Sequence, residues 1–341
     1  MVINKEAELS ACDEAATFLQ SGFWGGFKAR FGWEALAFRG AFTGSETKPL
    51  LVLRRKLMTG FALAYIPWGP ELPVETSEEG RWAVLKELAM ALKELLPKDT
   101  AFIRFDPPWH TAGAYGPPHP FIRSSADIQA PDTVLIDLSQ SMESIMAQMK
   151  PKWRYNARLA LKKGVTIRRC GAEEIDVFYE LLKETACRDG IAIHGIEYYR
   201  TLLEEGHSPL LALYLAEHEG DLLAGIVTLF RGREAVYLYG ASSDKKRSLM
   251  APYALQIKAM EDAKEAGCEE YDLFGIPPNE DPSHPMAGLY RFKTGFGGRI
   301  IHRPGSWDYP CRPLLYRLFR SAEALRKKRR KKRRDKQRRT R

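Results

Sequence analysis

The chain has 341 residues, 45% of them hydrophobic and 28% charged, apolar material enough for two ordinary domains. No window approaches the ~18 uninterrupted apolar residues of a membrane span, and the opening MVINKEAELS lacks the apolar stretch of a secretion signal, so an intracellular soluble protein is expected. The formal net charge of +9 is concentrated: residues 326–341 hold thirteen Lys/Arg and one Asp, a net +12 that leaves −3 on residues 1–325 and implies no general basic surface on the body.

In chain order, segments 35–39 and 50–56 alternate as strands and lead to a third, 61–66, which stops at Pro67, Trp68, Gly69 and Pro70. Residues 81–96 carry Trp82, Leu85, Leu88, Ala89 and Leu92 at helical spacing before Pro97. A further strand, 101–105, ends in Asp106, Pro107 and Pro108. Residues 133–138 read as a strand, 141–149 as a short helix and 151–163 as a second helix, with Pro151 suited to its first turn and Gly164 to its end. That second helix exposes Lys152, Arg154, Arg158, Lys162 and Lys163; Arg154 and Arg158 stand one turn apart, a spacing that suits either a joint grip on an anion or a solvated charged face.

The second half repeats the first. Strands at 210–217, 223–230 and 235–239 end at Gly240, a helix over 252–266 stops at Gly267, and a strand over 270–274 ends in Gly275, Ile276, Pro277 and Pro278. The two Pro-Pro pairs lie 170 residues apart, and Gly69 and Gly240 lie 171 apart. Element order and spacing agree together, which predicts a duplicated domain. The expected fold is α/β, in the sense of α+β, with two tandem acetyltransferase-like (GNAT-like) domains and a cleft between them. Residues 1–132 form the first and 133–304 the second, with 305–325 returning to the first and 326–341 a basic, disordered tail. Leu314, Leu315, Leu318, Phe319, Ala322 and Leu325 form one apolar stripe, read as core.

Five cysteines without a CxxC pair and seven histidines without ligand spacing predict neither a disulfide framework nor a metal site. The segment 288–298 packs Tyr290, Phe292, Lys293, Gly295, Gly297 and Gly298 after the last repeated strand. It is not a phosphate loop, because Phe292 stands where that motif needs glycine. A tight turn presenting Lys293 to a cleft and plain strand-end packing both remain open.

With these residues in view the sequence resembles the FemABX family, aminoacyl-tRNA-dependent transferases that build peptidoglycan cross-bridges. The resemblance runs through Phe18 to Gln20 with Trp24, Lys28 and Trp33, then Trp68 to Pro70 and Phe102 to Pro107. It continues through Arg154 to Arg158, Thr185 to Gly190, Tyr237 to Ser242, Tyr271 to Ile276 and Gly288 to Gly298. It implies a cleft that takes a UDP-linked or lipid-linked muramyl-pentapeptide, with aminoacyl-tRNA as co-substrate and no cofactor or metal. By the same resemblance Lys28, Asp106, Arg188 and Tyr239 line the precursor site, with Tyr237 the alternative to Tyr239, since period two puts both on one face. Phe292, Arg154 and Arg158 are further binding candidates. Lys293 is the candidate for orienting the ester and stabilising developing negative charge, and Asp106 for orienting the incoming ammonium.

The larger members carry a helical-hairpin insertion for which 341 residues leave no room, so the chain resembles the shorter, monomer-like members. Cytoplasm or the inner face of the plasma membrane is the expected location, and the tail 326–341 is expected either to be simply solvated or to contact tRNA or an anionic membrane. A coenzyme-A-dependent N-acyltransferase is the rival, disfavoured because residues 247–252 and 71–76 lack glycine where a pyrophosphate loop would sit. A non-catalytic protein using its tail on RNA or on a membrane is the other reading.

Overall fold

Short polar turns in the first half force consecutive strands to fold back on one another, and a helix then carries the chain across to start a parallel one. The computed structural model describes residues 1–58, 60–111, 119–206 and 210–339, the side chains of 58 and 329–339 excepted. It opens with β1 (Ile3–Lys5), α1 (Gly22–Ala29), β2 (Glu34–Gly40), β3 (Lys48–Met58), β4 (Phe61–Pro67), α2 (Glu78–Leu95), β5 (Thr100–Asp106) and β6 (Ile122–Arg123). The β2–β3–β4 meander is antiparallel, and α2 crosses over so that β5 runs parallel to β4. Ser77 caps α2 by accepting from the Gly80 amide, and Trp82, Leu85, Leu88, Ala89 and Leu92 are its buried face.

The second half supplies β7 (Asp132–Asp137), α3 (Met142–Gln148), α4 (Pro151–Lys162), β8 (Thr166–Cys170), α5 (Ile175–Asp189) and α6 (Ile196–Glu205). There follow β9 (Leu211–His218), β10 (Asp221–Arg231), β11 (Glu234–Ser242), α7 (Ala251–Glu265), β12 (Glu270–Asp272), α8 (Ala287–Thr294) and β13 (Arg299–His302). The chain then runs through β14 (Trp307–Pro310) into α9 (Pro313–Arg339).

The two sheets have one topology. Their strand orders are β1-β2-β3-β4-β5-β14-β6 and β8-β9-β10-β11-β12-β7-β13, each a four-strand antiparallel run, one parallel neighbour reached through a helix, then two antiparallel strands. The register repeats as well: Ala62 pairs with Thr100 and Glu234 with Glu270, so 172 and 170 residues separate the equivalent partners. Strand β14 lies between β5 and β6, which ties the segment after the second sheet into the first.

Strand alternation sorts the apolar residues into three layers. Leu50, Val52, Ala64 and Ile66 face α2, and Ala212, Tyr214, Ala216 and Ile226 face α7. The other faces share one middle core, where Phe18, Trp24, Leu51, Leu53, Leu63 and Trp68 of the first half meet Phe178, Leu181, Leu213, Leu215, Val227 and Leu229 of the second. At roughly 1.5–3 kcal/mol for each large apolar side chain buried, this layer binds the two sheets into one body.

Two expectations change. The segment 288–298 is helix α8, which carries Lys293, followed by a turn through Gly297 and Gly298, because Phe292 and Phe296, four residues apart, both pack on Tyr253 of α7. The apolar stripe of α9 divides: Leu315, Tyr316 and Phe319 pack inward, whereas Leu314, Leu318 and Leu325 are 75%, 65% and 57% exposed. The backbone of α9 continues through 326–339, carried on from an already nucleated helix by good helix formers.

Candidate functional site

Lys28 sits in the last turn of α1, a helix capped by Ser21, whose hydroxyl accepts from the Trp24 amide at 3.1 Å. The helix enters against the preceding segment at Gly22, where a Cβ would stand 2.5 Å from the Leu9 carbonyl. Its ammonium lies among four rings, 5.4 Å from Trp24, 5.9 Å from Phe27, 5.9 Å from Trp33 and 5.3 Å from Tyr198. Three of those rings belong to the first lobe and Tyr198 to α6 of the second. Burial, with a lesser contribution from Arg55, lowers the amine to a pKa of about 8. His194 stacks on Tyr198 at 3.9 Å, and Tyr198 hydrogen-bonds Tyr239. The cage therefore holds a cation whose charge is easily raised again by an arriving anion.

Lys293, on α8, is 6% exposed. Its Nζ donates to the carbonyls of Phe274 at 3.1 Å and Gly275 at 2.9 Å and lies 5.2 Å from the Tyr237 ring centroid. Burial lowers its pKa to about 7, and the Asp272 carboxylate opposes that shift. Phe274 meets Trp68 of the first lobe at 5.9 Å, and both residues hold positive φ, 59° and 45°, an arrangement costing each of them about 1–3 kcal/mol. Lys293 and Lys28 thus both stand at the seam between the lobes.

Period two would put Tyr237 and Tyr239 on one face, and the structure corrects this. A bulge between Val227 and Thr228 of β10 leaves Leu238 unpaired, so Tyr239 turns to Tyr199 and the Lys28 cage while Tyr237 lies beside Lys293. Each tyrosine serves a different end of the seam.

Asp106 closes β5 but is 3% exposed, and partners occupy both its oxygens: Ser306 donates to one, Tyr65 at 2.5 Å and the Gln129 amide at 3.1 Å to the other. Burial raises its pKa, and those hydrogen bonds oppose the rise. It fastens the segment leading to Ala130, which lies against Gly275, so its geometry is that of a positioning residue rather than of a group open to an ammonium.

Sequence reasoning missed Arg303. Its guanidinium lies 4.1 Å from the Trp68 ring centroid, Nε donates to the Pro108 carbonyl at 3.1 Å, and Nη2 faces Asp272 at 3.8 Å. It joins the strand ends of both lobes beneath Lys293, and nothing in a lone arginine after a strand would have announced it.

The other candidates have partners of their own. Arg188 ends α5 and braces the end of β11, donating to the Ser242 carbonyl at 2.8 Å and to Asp189 and Asp244. Arg154 caps α3 through the carbonyls of Ala147 and Met149, at 2.9 and 2.6 Å. Carbonyls left open at a helix end attract a guanidinium, so Arg154 is committed to α3, and only Arg158 stays exposed on the shallow concavity the two share with Met142 and Met146. Phe292 packs on Tyr253 and Phe296 at 5.3 and 5.1 Å, because adjacent helical residues point about 100° apart and Lys293 takes the seam side.

Comparison with known proteins bears on this arrangement. The model of the FemAB family matches residues 119–219 and 211–324. The lipid II:glycine glycyltransferase of Staphylococcus epidermidis (strain ATCC 35984) is 24% identical over 253 residues, 56% of this chain and 61% of that protein. That of Staphylococcus aureus (strain USA300) is 25% identical over 258 residues with the same coverage, so the chain spans about 61% of the length of these curated relatives. A crystal structure of FemX superposes with a TM-score of 0.79 at 21% identity, covering 93% of this chain and 99% of that one, which shows a shared fold.

Proposed function

The chain belongs to the FemAB family, and from that premise we propose that it is an aminoacyltransferase moving an amino acid from aminoacyl-tRNA to an amine of a muramyl-peptide precursor, UDP-linked or lipid-linked. Relatives named as lipid II:glycine glycyltransferases support the acyl-transfer reading. The observation that carries it is Lys293. Two of its N–H groups go to the Phe274 and Gly275 carbonyls, which leaves the third, in the ammonium form, for a substrate oxygen at the seam.

The ester is already activated, so the protein's work is to align the reactants and stabilise charge, and alignment alone can supply ~7 kcal/mol or more of the barrier. The acceptor nitrogen attacks the ester carbonyl carbon, and the new C–N bond forms as the carbonyl electrons move to oxygen. The third N–H of Lys293 stabilises that oxyanion. When the carbonyl re-forms, the C–O bond to the ribose breaks, the nitrogen gives up its proton and the ribose hydroxyl leaves protonated. Lys28, held among its rings, meets phosphate on the precursor, and Tyr239 braces that cage through Tyr198. Asp106 and Arg303 hold the two strand ends in register.

Lys293→Met tests this. Product formation falls by about 10²–10³-fold, the scale of one lost oxyanion donor, while binding of the precursor, measured calorimetrically, is retained. Undiminished turnover in that variant removes Lys293 from the chemistry.

A further inference from the structure

The face of α9 that points away from the body carries leucines the fold does not use. Leu314, Leu318 and Leu325 are 75%, 65% and 57% exposed and recur at i, i+4 and i+11, within about 40° of arc at 3.6 residues per turn. The opposite face is pinned. Tyr316 donates to Asp308 at 2.8 Å, Phe319 lies 4.8 Å from Phe102, Arg320 donates to the Arg123 carbonyl at 2.8 Å and Lys327 to the Ser125 carbonyl. The helix cannot roll to bury the leucines without breaking those contacts.

The same helix runs directly into the block of thirteen Lys/Arg and one Asp at 326–341, while residues 1–325 carry a net −3. A polyanion would be drawn to the block alone, and nucleic acid is gripped through phosphates and through aromatic stacking, for which exposed leucines offer nothing. An anionic bilayer uses both features: its headgroups attract the basic block, and its acyl boundary takes up the apolar stripe.

We propose that α9 is an interfacial anchor by which this protein docks on an anionic lipid surface, with Leu314, Leu318 and Leu325 entering the bilayer boundary and the basic block lying among the headgroups. Among the described residues no helix is long and apolar enough to cross a membrane, so α9 lies on the bilayer and does not span it. The proposal stands whether or not the acyl-transfer reading does.

Flotation of the full chain with vesicles of phosphatidylcholine, alone or mixed with phosphatidylglycerol, tests it. The protein floats with the mixed vesicles and not with phosphatidylcholine alone, and high salt weakens the association. Leu314→Ser/Leu318→Ser/Leu325→Ser lowers partitioning at least tenfold with an unchanged thermal melt, since all three side chains are already in water. Lys328→Glu/Lys331→Glu/Lys332→Glu, read in parallel, lowers it comparably. Equal flotation with neutral vesicles, no flotation at all, or a leucine variant that binds as the parent does would overturn the proposal. In the last case the block is a plain polycation, and equal capture of both proteins by RNA would identify it as one.

Discussion

Two amines, the partly buried Lys28 and the buried Lys293, lose water in this fold, and each is held for a local reason. Rings surround Lys28, and two carbonyls take two of the three N–H groups of Lys293. Burial makes the charged form of Lys293 expensive, which has a consequence for stability. Its folded pKa, about 7, lies below its unfolded value, so between the two the unfolded chain binds more protons and stability rises with pH. Below pH 7 both states hold the proton and the full cost of burying the charge is present. Lys293→Met removes this term: relative to the variant, the parent gains stability from pH 7 towards 10, which urea titrations at several pH values will register. A pH-independent difference between the two proteins would mean that the amine is not desolvated.

Both lysines were legible in the sequence through the family resemblance. Residues whose meaning depends on side-chain direction were not. Arg154 looked free because spacing cannot reveal that α3 ends beneath it with open carbonyls, and Tyr237 and Tyr239 looked equivalent because a bulge leaves no mark in an apolar strand.

Among the elements, β14 and α9 depend most on a single buried network. Arg104 of β5 donates to both Asp308 oxygens at 2.7 and 2.9 Å, and Tyr316 of α9 donates to the same carboxylate at 2.8 Å. Asp308 is fully buried, and removing it strands the Arg104 guanidinium in the core. Asp308→Ala therefore costs about 3–5 kcal/mol, measurable by urea denaturation, because an uncompensated buried charge is far more expensive than the pair itself is favourable. A loss below about 1 kcal/mol, the range of exposed pairs, would show that water reaches the site.

The repeated strands and the helices over 81–96 and 252–266 could be read from alternation, helical spacing and turn residues. Helices α1, α5 and α6 could not be placed so directly, since their apolar residues serve the middle layer, where partners come from both halves of the chain. Helix α8 was obscured by its glycines, which suggested a loop although Gly297 and Gly298 act only after the helix has ended.

For the whole molecule, the duplication was visible as a spacing of 170–171 residues, and the sheets bear it out strand by strand. What sequence could not show is that the two copies face each other across one shared core, because alternation marks a buried face without naming its partner. That core predicts the unfolding behaviour. Residues such as Trp68 and Leu229 occupy one cluster, so neither sheet keeps its inner face covered if the other melts. Denaturant unfolding followed by near-ultraviolet and far-ultraviolet circular dichroism gives coincident transitions, whereas two separated steps would mean lobes of independent stability.

The central claim concerns what meets at the seam. Incubating the protein with a mixture of charged tRNAs and, in separate reactions, UDP-linked and lipid-linked muramyl-pentapeptide, then weighing the stem peptide by mass spectrometry, tests it most directly. The account predicts the mass of one added amino acid on at least one precursor, dependent on charged tRNA and not replaced by acyl-coenzyme A. An unchanged stem in both reactions, or transfer supported by acyl-coenzyme A without tRNA, would contradict it.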